Sequence, residues 1–241
     1  GRFGSPFAAL DFLDVDPALA EFDRETTPLD QFRELLDAVH RRGGRLFMDI
    51  PANHTGWASS LQIHHPRWFT READRRFRSP GAWGVTWEDL SQLDYGHRDL
   101  WQYMADVFLY WCRQGVDGFR CDAGYMIPCD AWTYITAKVR DQYPDTIFLL
   151  EGLGGKWEVV NRLLLEADLD WAYSELFQDP DRAAVESHLP GYVSTGERRG
   201  LLVHFAETHD NNRLAARGRP YAAMRSALTA LCSQSGAFGF A

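Results

Sequence analysis

The segment Gly118–Gly124 combines a basic and an acidic residue in a pattern that could support catalysis. Its apolar and charged residues alternate between glycines, which predicts a short buried strand that ends in polar groups. Arg120 and Asp122 are two positions apart, so their side chains share one face of that strand. The guanidinium would keep the carboxylate ionised and oriented, as a carboxylate nucleophile requires. A structural ion pair at a strand end explains the same pattern, and this segment alone leaves both interpretations open.

Residues that could take part in chemistry also follow other predicted strands. They are Asp49 near the end of a strand at 45–50 with Asn53 and His54 after it, Glu151 after a strand at 146–150, and His209 and Asp210 after a strand at 201–206. Carboxylate and imidazole groups from several strand ends are the arrangement from which a (β/α)8 barrel assembles one active site. The sequence therefore predicts that these groups converge with Arg120 and Asp122.

The rest of the chain alternates between helical and strand periodicity. Thr27 and Pro28 predict the start of a helix, and Gly43-Gly44 predicts its end. Residues 55–95 contain several tryptophans and no clear period, which predicts a small inserted subdomain because loops of this length are rare in compact domains. Further helices are predicted near 99–114, 130–142, 156–167, 180–188 and 220–232, and further strands near 171–175 and 236–240.

Repeated alternation of strand and helix predicts a parallel sheet with helical crossovers. Periodicity alone fits either a barrel or a doubly wound sheet. The polar residues at four strand ends favour the barrel. We therefore predict an incomplete (β/α)8 TIM barrel over residues 1–241, with the insert at 55–95 inside it.

Composition limits the kinds of partner. The formal net charge is −9 and the isoelectric point is about 5.3, which argues against nucleic acid or an anionic membrane as a partner and is compatible with a neutral ligand. The four cysteines show no C-x-x-C spacing, and no apolar stretch has the length of a membrane span. The chain begins in loop-like sequence and stops inside an apolar run, which predicts a fragment of a longer protein and leaves its localisation open.

On these motifs the chain resembles the α-amylase family, glycoside hydrolase family thirteen. The family's four signatures are similar, in the same order, to Asp49-Ile-Pro-Ala-Asn53-His54, Gly118-Phe-Arg120-Cys-Asp122-Ala, the strand-end Glu151, and His209-Asp210. Gln92-Leu-Asp94-Tyr95 resembles an auxiliary motif at the end of the family's inserted domain. The resemblance implies that this chain runs from a loop before the third barrel strand into the start of the eighth.

Two carboxyl groups would carry the chemistry. Cleavage of a glycosidic bond with retention needs a nucleophile and a general acid about 5 Å apart. Asp122 fits the nucleophile, and the resemblance implies the same role. Glu151 fits the acid because it ends an apolar strand and precedes uncharged residues, a setting that raises a carboxyl pKa.

The resemblance implies supporting roles for five further residues. Asp210 would be a third catalytic carboxylate that holds sugar hydroxyls and distorts the ring. His54, His209 and Arg120 would line the subsite in which cleavage occurs. Asp49 would orient Arg120 or the adjoining loop, and a mainly structural role for it remains open.

Three positions bear on the substrate and on a metal ion. Many α-amylases have lysine and histidine where this chain has Tyr125 and Met126. That difference argues against endo-hydrolysis of starch, and Tyr125 could stack on an acceptor sugar. Asn53 resembles an asparagine that binds a structural calcium ion in many members, with Asp89 or Asp94 completing the site.

The sequence therefore predicts a retaining glycosidase or glucanotransferase acting on α-glucosidic bonds of oligosaccharides or polysaccharides. No cofactor is required by this chemistry, and neither nucleic acid nor a membrane is expected as a partner. A non-catalytic carbohydrate-binding relative and a fragment inactivated by truncation are the alternatives. Hydrolysis and transfer share one covalent intermediate, so the sequence does not separate them.

Overall fold

The computed structural model describes residues 5–176, 181–198, 201–233 and 236–238. The helices are α1 (Pro28–His40), α2 (Ser60–His64), α3 (Arg98–Gln114), α4 (Cys129–Arg140), α5 (Trp157–Glu166), α6 (Arg182–Arg198) and α7 (Arg219–Cys232). The strands are β1 (Phe47–Ile50), β2 (His54–Gly56), β3 (Gly81–Ala82), β4 (Val85–Thr86), β5 (Leu90–Gln92), β6 (Gly118–Cys121), β7 (Ile147–Leu150), β8 (Trp171–Ser174), β9 (Leu201–His204) and β10 (Gly236–Phe238).

Six strands form one parallel sheet in the order β1-β6-β7-β8-β9-β10. Apart from the insert, this is also their order along the chain, and helices connect each strand to the next from β6 onwards. A doubly wound sheet reverses its strand order at a switch point, whereas a barrel adds strands sequentially. The observed order is therefore that of a barrel.

The helix ends follow from local sequence. Thr27 and Asp30 form a capping box at the start of α1, and Pro28 occupies its first turn. α3 ends at Gly115, whose φ of 107° is a left-handed conformation that glycine adopts without steric cost.

The helices cover the sheet through an aromatic core. Phe108 of α3 packs edge-on against Phe119 of β6 and Phe148 of β7, with ring centroids 4.8 and 5.5 Å apart. Trp132 of α4 joins the same cluster, and all four side chains are fully buried. Burial of this size stabilises the sheet and holds the ends of β6 and β7 side by side.

The segment between β1 and α3 contains short antiparallel pairs. β2 pairs with β5, and β3 pairs with β4 in a hairpin. Phe69 and Leu93 pair with each other in an isolated antiparallel bridge, and both side chains are buried. The segment therefore has ordered secondary structure, while the limits 55 and 95 of an inserted subdomain stay a prediction.

One sequence expectation about helices was wrong in detail. The helix expected near 180–188 begins at Arg182 and continues to Arg198, so Pro190 lies inside it. Residues 239–240 of the expected last strand lie outside the described residues. In the described part of the chain, no helix is long and apolar enough to cross a membrane.

Candidate active site

The register of β1 and β6 brings three charged residues together. Asp49 and Arg120 are paired positions on these neighbouring parallel strands. Arg120 Nη1 donates to both carboxylate oxygens of Asp49, at 2.9 and 2.7 Å, and to Oδ1 of Asp122 at 2.9 Å. The predicted contact between Arg120 and Asp122 is therefore present, and Asp49 contacts the same guanidinium.

Burial sets the charges in this cluster. Burial raises the pKa of Asp49 to about 6, an effect that Arg120 opposes and Asp122 reinforces. Burial alone would lower the pKa of Arg120, but the carboxylates of Asp49 and Asp122 outweigh it and leave that pKa above its ordinary value. The guanidinium thus stays charged and holds both carboxylates in place.

Glu151 lies on the next strand end. The main chain continues the parallel pairing past the strands, because Asp122 N donates to Ile50 O and Glu151 N donates to Cys121 O, each at 3.1 Å. Asp122 and Glu151 therefore follow adjacent paired positions, Cys121 and Leu150. Their carboxyl groups emerge from neighbouring strands at the same edge of the sheet.

Two backbone N–H groups hold the Glu151 carboxyl group. Ala123 N donates to Oε2 and Leu153 N donates to Oε1, both at 2.9 Å. Ala123 adopts a left-handed conformation with φ 47°, which is uncommon for a residue with a side chain. This turn directs the N–H that follows Asp122 towards Glu151, so the two acidic residues are linked through one peptide.

The environment of Glu151 favours its protonated form. Burial raises the pKa of Glu151 to about 7, against the influence of Arg120, and the nearby charge of Asp122 raises it further. Only 8% of the residue is exposed. A carboxyl group with this pKa can donate and accept a proton near neutral pH.

His54 lies above Asp122 at the start of β2. Its Nε2 is 3.8 Å from Asp122 Oδ2, and its ring meets Trp87 edge-on at 6.1 Å. The residue is 1% exposed, and burial lowers the pKa of the imidazole although Asp122 opposes the shift. A neutral imidazole in this position can donate a hydrogen bond to a bound hydroxyl group or accept one from it.

The Alpha-amylase family model, described as the α-amylase catalytic domain, matches residues 21–148. That segment is just over half of the chain and contains Asp49, His54, Arg120 and Asp122 in the arrangement described above. The chain belongs to the α-amylase family. Its parallel strands are consequently the arc of an incomplete (β/α)8 barrel, as the sequence predicted.

Relatives and solved structures agree with this family. The chain is 28% identical over 218 residues to α-1,4-glucan:maltose-1-phosphate maltosyltransferase of Rhodospirillum rubrum, covering 87% of this chain and 31% of that protein. The Pseudomonas aeruginosa enzyme of the same name is 32% identical over 126 residues, 51% of this chain and 19% of its own. An α-amylase structure from Lactobacillus plantarum superposes with a TM-score of 0.77 at 29% identity, covering 97% of this chain and 57% of that one. The chain thus spans about a fifth to just over half of the length of these relatives.

The loop after β9 places His209 close to the charged cluster and Asp210 beside it. The His209 ring stacks on the Phe7 ring with centroids 5.6 Å apart, and it lies near enough to Asp49 to interact with it electrostatically. The Asp210 side chain is 67% exposed, and its carboxylate is 3.4 Å from His209 Nε2. Asp210 therefore lies at the rim, without a described contact to Asp122, and its role as a third catalytic carboxylate stays a prediction.

Tyr125 lies near the carboxyl groups of Glu151 and Asp122. Its ring lies so close to Gly155 that a Cβ added there would be 2.9 Å from the Tyr125 Cγ. Burial raises the pKa of the phenol to about 12, and the nearby charges of Glu151 and Asp122 contribute to the rise. Tyr125 thus borders the loop that follows the buried glutamate, where its stacking on a sugar stays a prediction.

Asn53 is held by contacts with two other residues. Its side-chain amide donates to Met126 Sδ at 3.2 Å, and its main-chain oxygen accepts from Leu93 N. Within the described ranges, no three His, Cys, Asp or Glu side chains are grouped to hold a metal ion. Calcium also takes carbonyl and amide oxygens as ligands. A structural calcium ion at Asn53 therefore stays a prediction.

Sequence reasoning missed three residues near the site. The Arg120 guanidinium carbon is 5.7 Å from the Phe7 ring centroid and 5.8 Å from that of Tyr173, so two aromatic rings flank it. Glu175 Oε1 accepts a hydrogen bond from Gly154 N at 2.6 Å. Tyr173 lies near the end of β8 and Glu175 directly follows the strand. Their position at a strand end could have marked both as candidate site residues. No comparable signal marked Phe7.

Replacing Arg120 with methionine is expected to destabilise the fold in a pH-dependent way. The change leaves Asp49 and Asp122 close together without their shared cation, so we expect a loss of about 2 kcal/mol at pH 8, less than for a fully buried pair because Asp49 is partly exposed. The loss should shrink at pH 5, because Asp49, with its pKa raised to about 6, is then protonated. Thermal unfolding at both pH values measures the effect.

Arg33→Met is the matched control for that experiment. Arg33 forms an exposed pair with Asp30, so its loss should change stability little, and by the same amount at either pH. Equal destabilisation of the two variants, or a deficit of Arg120→Met that is larger at pH 5, would contradict the assignment.

Proposed function

We propose that this chain carries the catalytic carboxylates of a retaining enzyme that cleaves α-glucosidic bonds in oligosaccharides or polysaccharides. The observation that supports the proposal most is the pairing of Glu151, buried with its pKa raised to about 7, with Asp122 held by Arg120 on the adjacent strand. Neighbouring strands are about 4.8 Å apart. That spacing suits the carboxyl separation of about 5 Å in retaining enzymes.

The proposed mechanism has two steps. In the first, Asp122 attacks the anomeric carbon while Glu151 donates its proton to the departing glycosidic oxygen, which gives a covalent glycosyl-enzyme. In the second, Glu151 accepts a proton from water or from a sugar hydroxyl, which attacks the same carbon and releases Asp122. Arg120 holds the Asp122 side chain in position through its hydrogen bond to Oδ1, and its second contact, to Asp49, fixes the guanidinium.

The substrate is proposed to be an α-glucan or a short α-glucosyl oligosaccharide. Two of the most similar relatives are named for transfer of maltosyl groups from maltose 1-phosphate to α-1,4-glucan, and a similar structure is an α-amylase. Tyr125 and the Gly152–Gly155 loop border Glu151, where a leaving or incoming sugar would lie. An aromatic ring there favours a sugar acceptor over water. Transfer is therefore the form of the reaction that we propose.

Product analysis separates transfer from hydrolysis. The enzyme is incubated with maltose, maltotriose, sucrose, trehalose or maltose 1-phosphate, and products are followed by chromatography and by NMR of the anomeric protons. We expect products longer than the substrate, each with its new glycosidic bond in the α configuration. Products that are only shorter than the substrate would indicate a hydrolase, and a new β-glycosidic bond, or a hydrolysis product first released as the β-anomer, would contradict retention. Binding without any turnover would favour the non-catalytic alternative.

A further inference from the structure

A hairpin between β1 and α3 reaches the loop that follows Glu151. It consists of β3 and β4, which pair antiparallel and are joined by Trp83 and Gly84. The Trp83 side chain lies against Gly154, because a Cβ added to that glycine would collide with Cε2, Cζ2 and Nε1 of the indole. The indole therefore rests on the backbone of the loop that begins at the proposed general acid.

The backbone at the hairpin tip is unfavourable for a tryptophan. Trp83 has φ 52° and Gly84 has φ 76°, the pattern of a type I′ turn. Such turns favour asparagine, aspartate or glycine at the first central position, and a bulky residue at positive φ is uncommon. Trp83 is also 71% exposed, so burial within the hairpin does little to offset the strain. Its contact with Gly154 is what the side chain contributes, and strain of this kind is a reason to look for a functional role.

The loop beneath Trp83 holds the Glu151 carboxyl group. Leu153 N donates to Glu151 Oε1 at 2.9 Å, and Gly154 N donates to Glu175 Oε1 at 2.6 Å. Gly154 has φ 78° and no side chain, so contacts from neighbouring residues must hold it. Because Leu153 and Gly154 are adjacent, a shift of Gly154 would carry the Leu153 N–H away from Glu151.

The same hairpin also contacts the nucleophile's side of the site. Trp87 follows β4, and its N–H donates to Pro80 O at 2.9 Å across the base of the hairpin. The Trp87 ring meets His54 edge-on, and His54 Nε2 is 3.8 Å from Asp122 Oδ2. The hairpin is therefore tied to the site at its base, which gives Trp83 at its tip a fixed support.

We propose that Trp83 is a positioning residue for the general acid. Its ring, carried by the β3–β4 hairpin, holds Gly154 in place and thereby keeps the Leu153 N–H on the Glu151 carboxyl group. Trp83 does not need to touch the substrate in this role. The expected effect on turnover rests on the proposed function, whereas the effect on the loop is a property of the fold alone.

Hydrogen exchange of the loop amides, followed by NMR, tests the contact without a substrate. Trp83→Asn removes the indole and gives the turn a residue that it favours, so the hairpin should persist. We expect the Leu153 and Gly154 amides to exchange about fivefold to tenfold faster in this variant. Val85→Thr is the matched control on the same hairpin. Val85 is 61% exposed and threonine keeps its β-branched shape, so exchange at both amides should be unchanged.

Gly154→Ala tests the contact from the other side. In the unmodified chain the new Cβ both strains the backbone at φ 78° and collides with the indole. In the Trp83→Asn background only the backbone strain remains. Gly154→Ala should therefore lower the Tm less in that background than in the unmodified chain. Equal losses of Tm would show that the indole does not rest on the loop and would overturn the proposal.

Turnover separates positioning from other roles of Trp83. In Trp83→Asn, kcat/KM should fall about tenfold on maltose but about twofold or less on α-glucosyl fluoride, because only maltose needs a proton from Glu151. Equal losses on the two substrates, a change confined to KM, or amide exchange unaffected by Trp83→Asn would each overturn the proposal. If the unmodified chain turns over neither substrate while the loop amides still respond to Trp83→Asn, the proposed function fails and the contact stands, so the two failures can be told apart.

Discussion

Replacing Asp122 with alanine is expected to reduce turnover of α-glucosyl substrates by about 10⁴-fold or more, because it removes the group that forms the covalent intermediate. The fold should persist, since Arg120 keeps its two hydrogen bonds to Asp49. The measurement is kcat/KM on maltose and on α-glucosyl fluoride, with thermal unfolding of each variant. Asp106→Asn, an exposed position on α3, is the matched control and should retain full activity.

Azide offers a sharper test of the same residue. In Asp122→Ala the small anion can occupy the vacated space and attack the anomeric carbon of α-glucosyl fluoride directly, releasing fluoride. We expect partial recovery of rate and a β-glucosyl azide, the inverted product. A slow fluorinated donor should label Asp122 in the unmodified chain. Retained activity of the variant, an α-azide product, or a label on another residue would each show that Asp122 is not the nucleophile.

The meeting of Asp49, Arg120, Asp122 and Glu151 could be predicted because it follows from one rule. The carboxyl ends of parallel strands share an edge of the sheet, so residues that directly follow buried strands must be neighbours. The alternation of apolar and charged residues around Arg120 predicted which face of the strand carries its side chain. The apolar run before Glu151 predicted that this residue is buried. Both inferences used only local sequence.

Other features depend on contacts distant in sequence and could not be predicted. Phe7 flanks Arg120 although more than a hundred residues separate them, and no periodicity marks it. Pro190 lies inside α6, although proline disfavours helix interiors and therefore predicted an earlier end. The position of Asp210 depends on how the loop after β9 folds, and sequence order fixes only that it follows the strand.

A cavity bounded by the Gly152–Gly155 loop, the end of β8, α5 and α6 illustrates the same limit. Trp157, Glu175 and Tyr192 lie on three elements, and each fits an ordinary structural role when taken singly. Their combination is visible only after α5, β8 and α6 pack together. Glu175 also holds Gly154, so the loop that positions Glu151 is fixed partly by this neighbouring strand end.

Replacing Glu151 with glutamine is expected to slow substrates with poor leaving groups far more than activated ones. Maltose, whose departing sugar oxygen needs a proton, should lose about 10³-fold in kcat/KM, whereas α-glucosyl fluoride should lose about tenfold or less. The general acid must be protonated, so activity of the unmodified enzyme on maltose should fall as the pH rises above the Glu151 pKa of about 7. Glu151→Gln should lack that decline because glutamine does not titrate.

The hydrogen bonds of Glu151 mean that the stability of Glu151→Gln must be measured as a control. Glu151 accepts backbone N–H donors on both oxygens, from Ala123 and Leu153. Glutamine accepts on one side only, so one N–H loses its acceptor and we expect a cost of about 1–3 kcal/mol that is unrelated to proton transfer. Kinetics must therefore be measured well below the variant's Tm, and Glu166→Gln on α5, whose carboxylate forms an exposed pair with Arg162, serves as the comparison.

A loss of activity in Glu151→Gln could come from a displaced Asp122 or from a missing proton donor. The dependence of the loss on the leaving group distinguishes these two causes. If glutamine only loosened the turn at Ala123, Asp122 would be misplaced for every substrate, and maltose and α-glucosyl fluoride would slow equally. If Glu151 supplies the proton, the loss follows the basicity of the departing group and the decline above pH 7 disappears with it. Equal losses, or a pH profile unchanged by the substitution, would mean that the raised pKa of Glu151 reflects burial alone and that another group protonates the leaving oxygen.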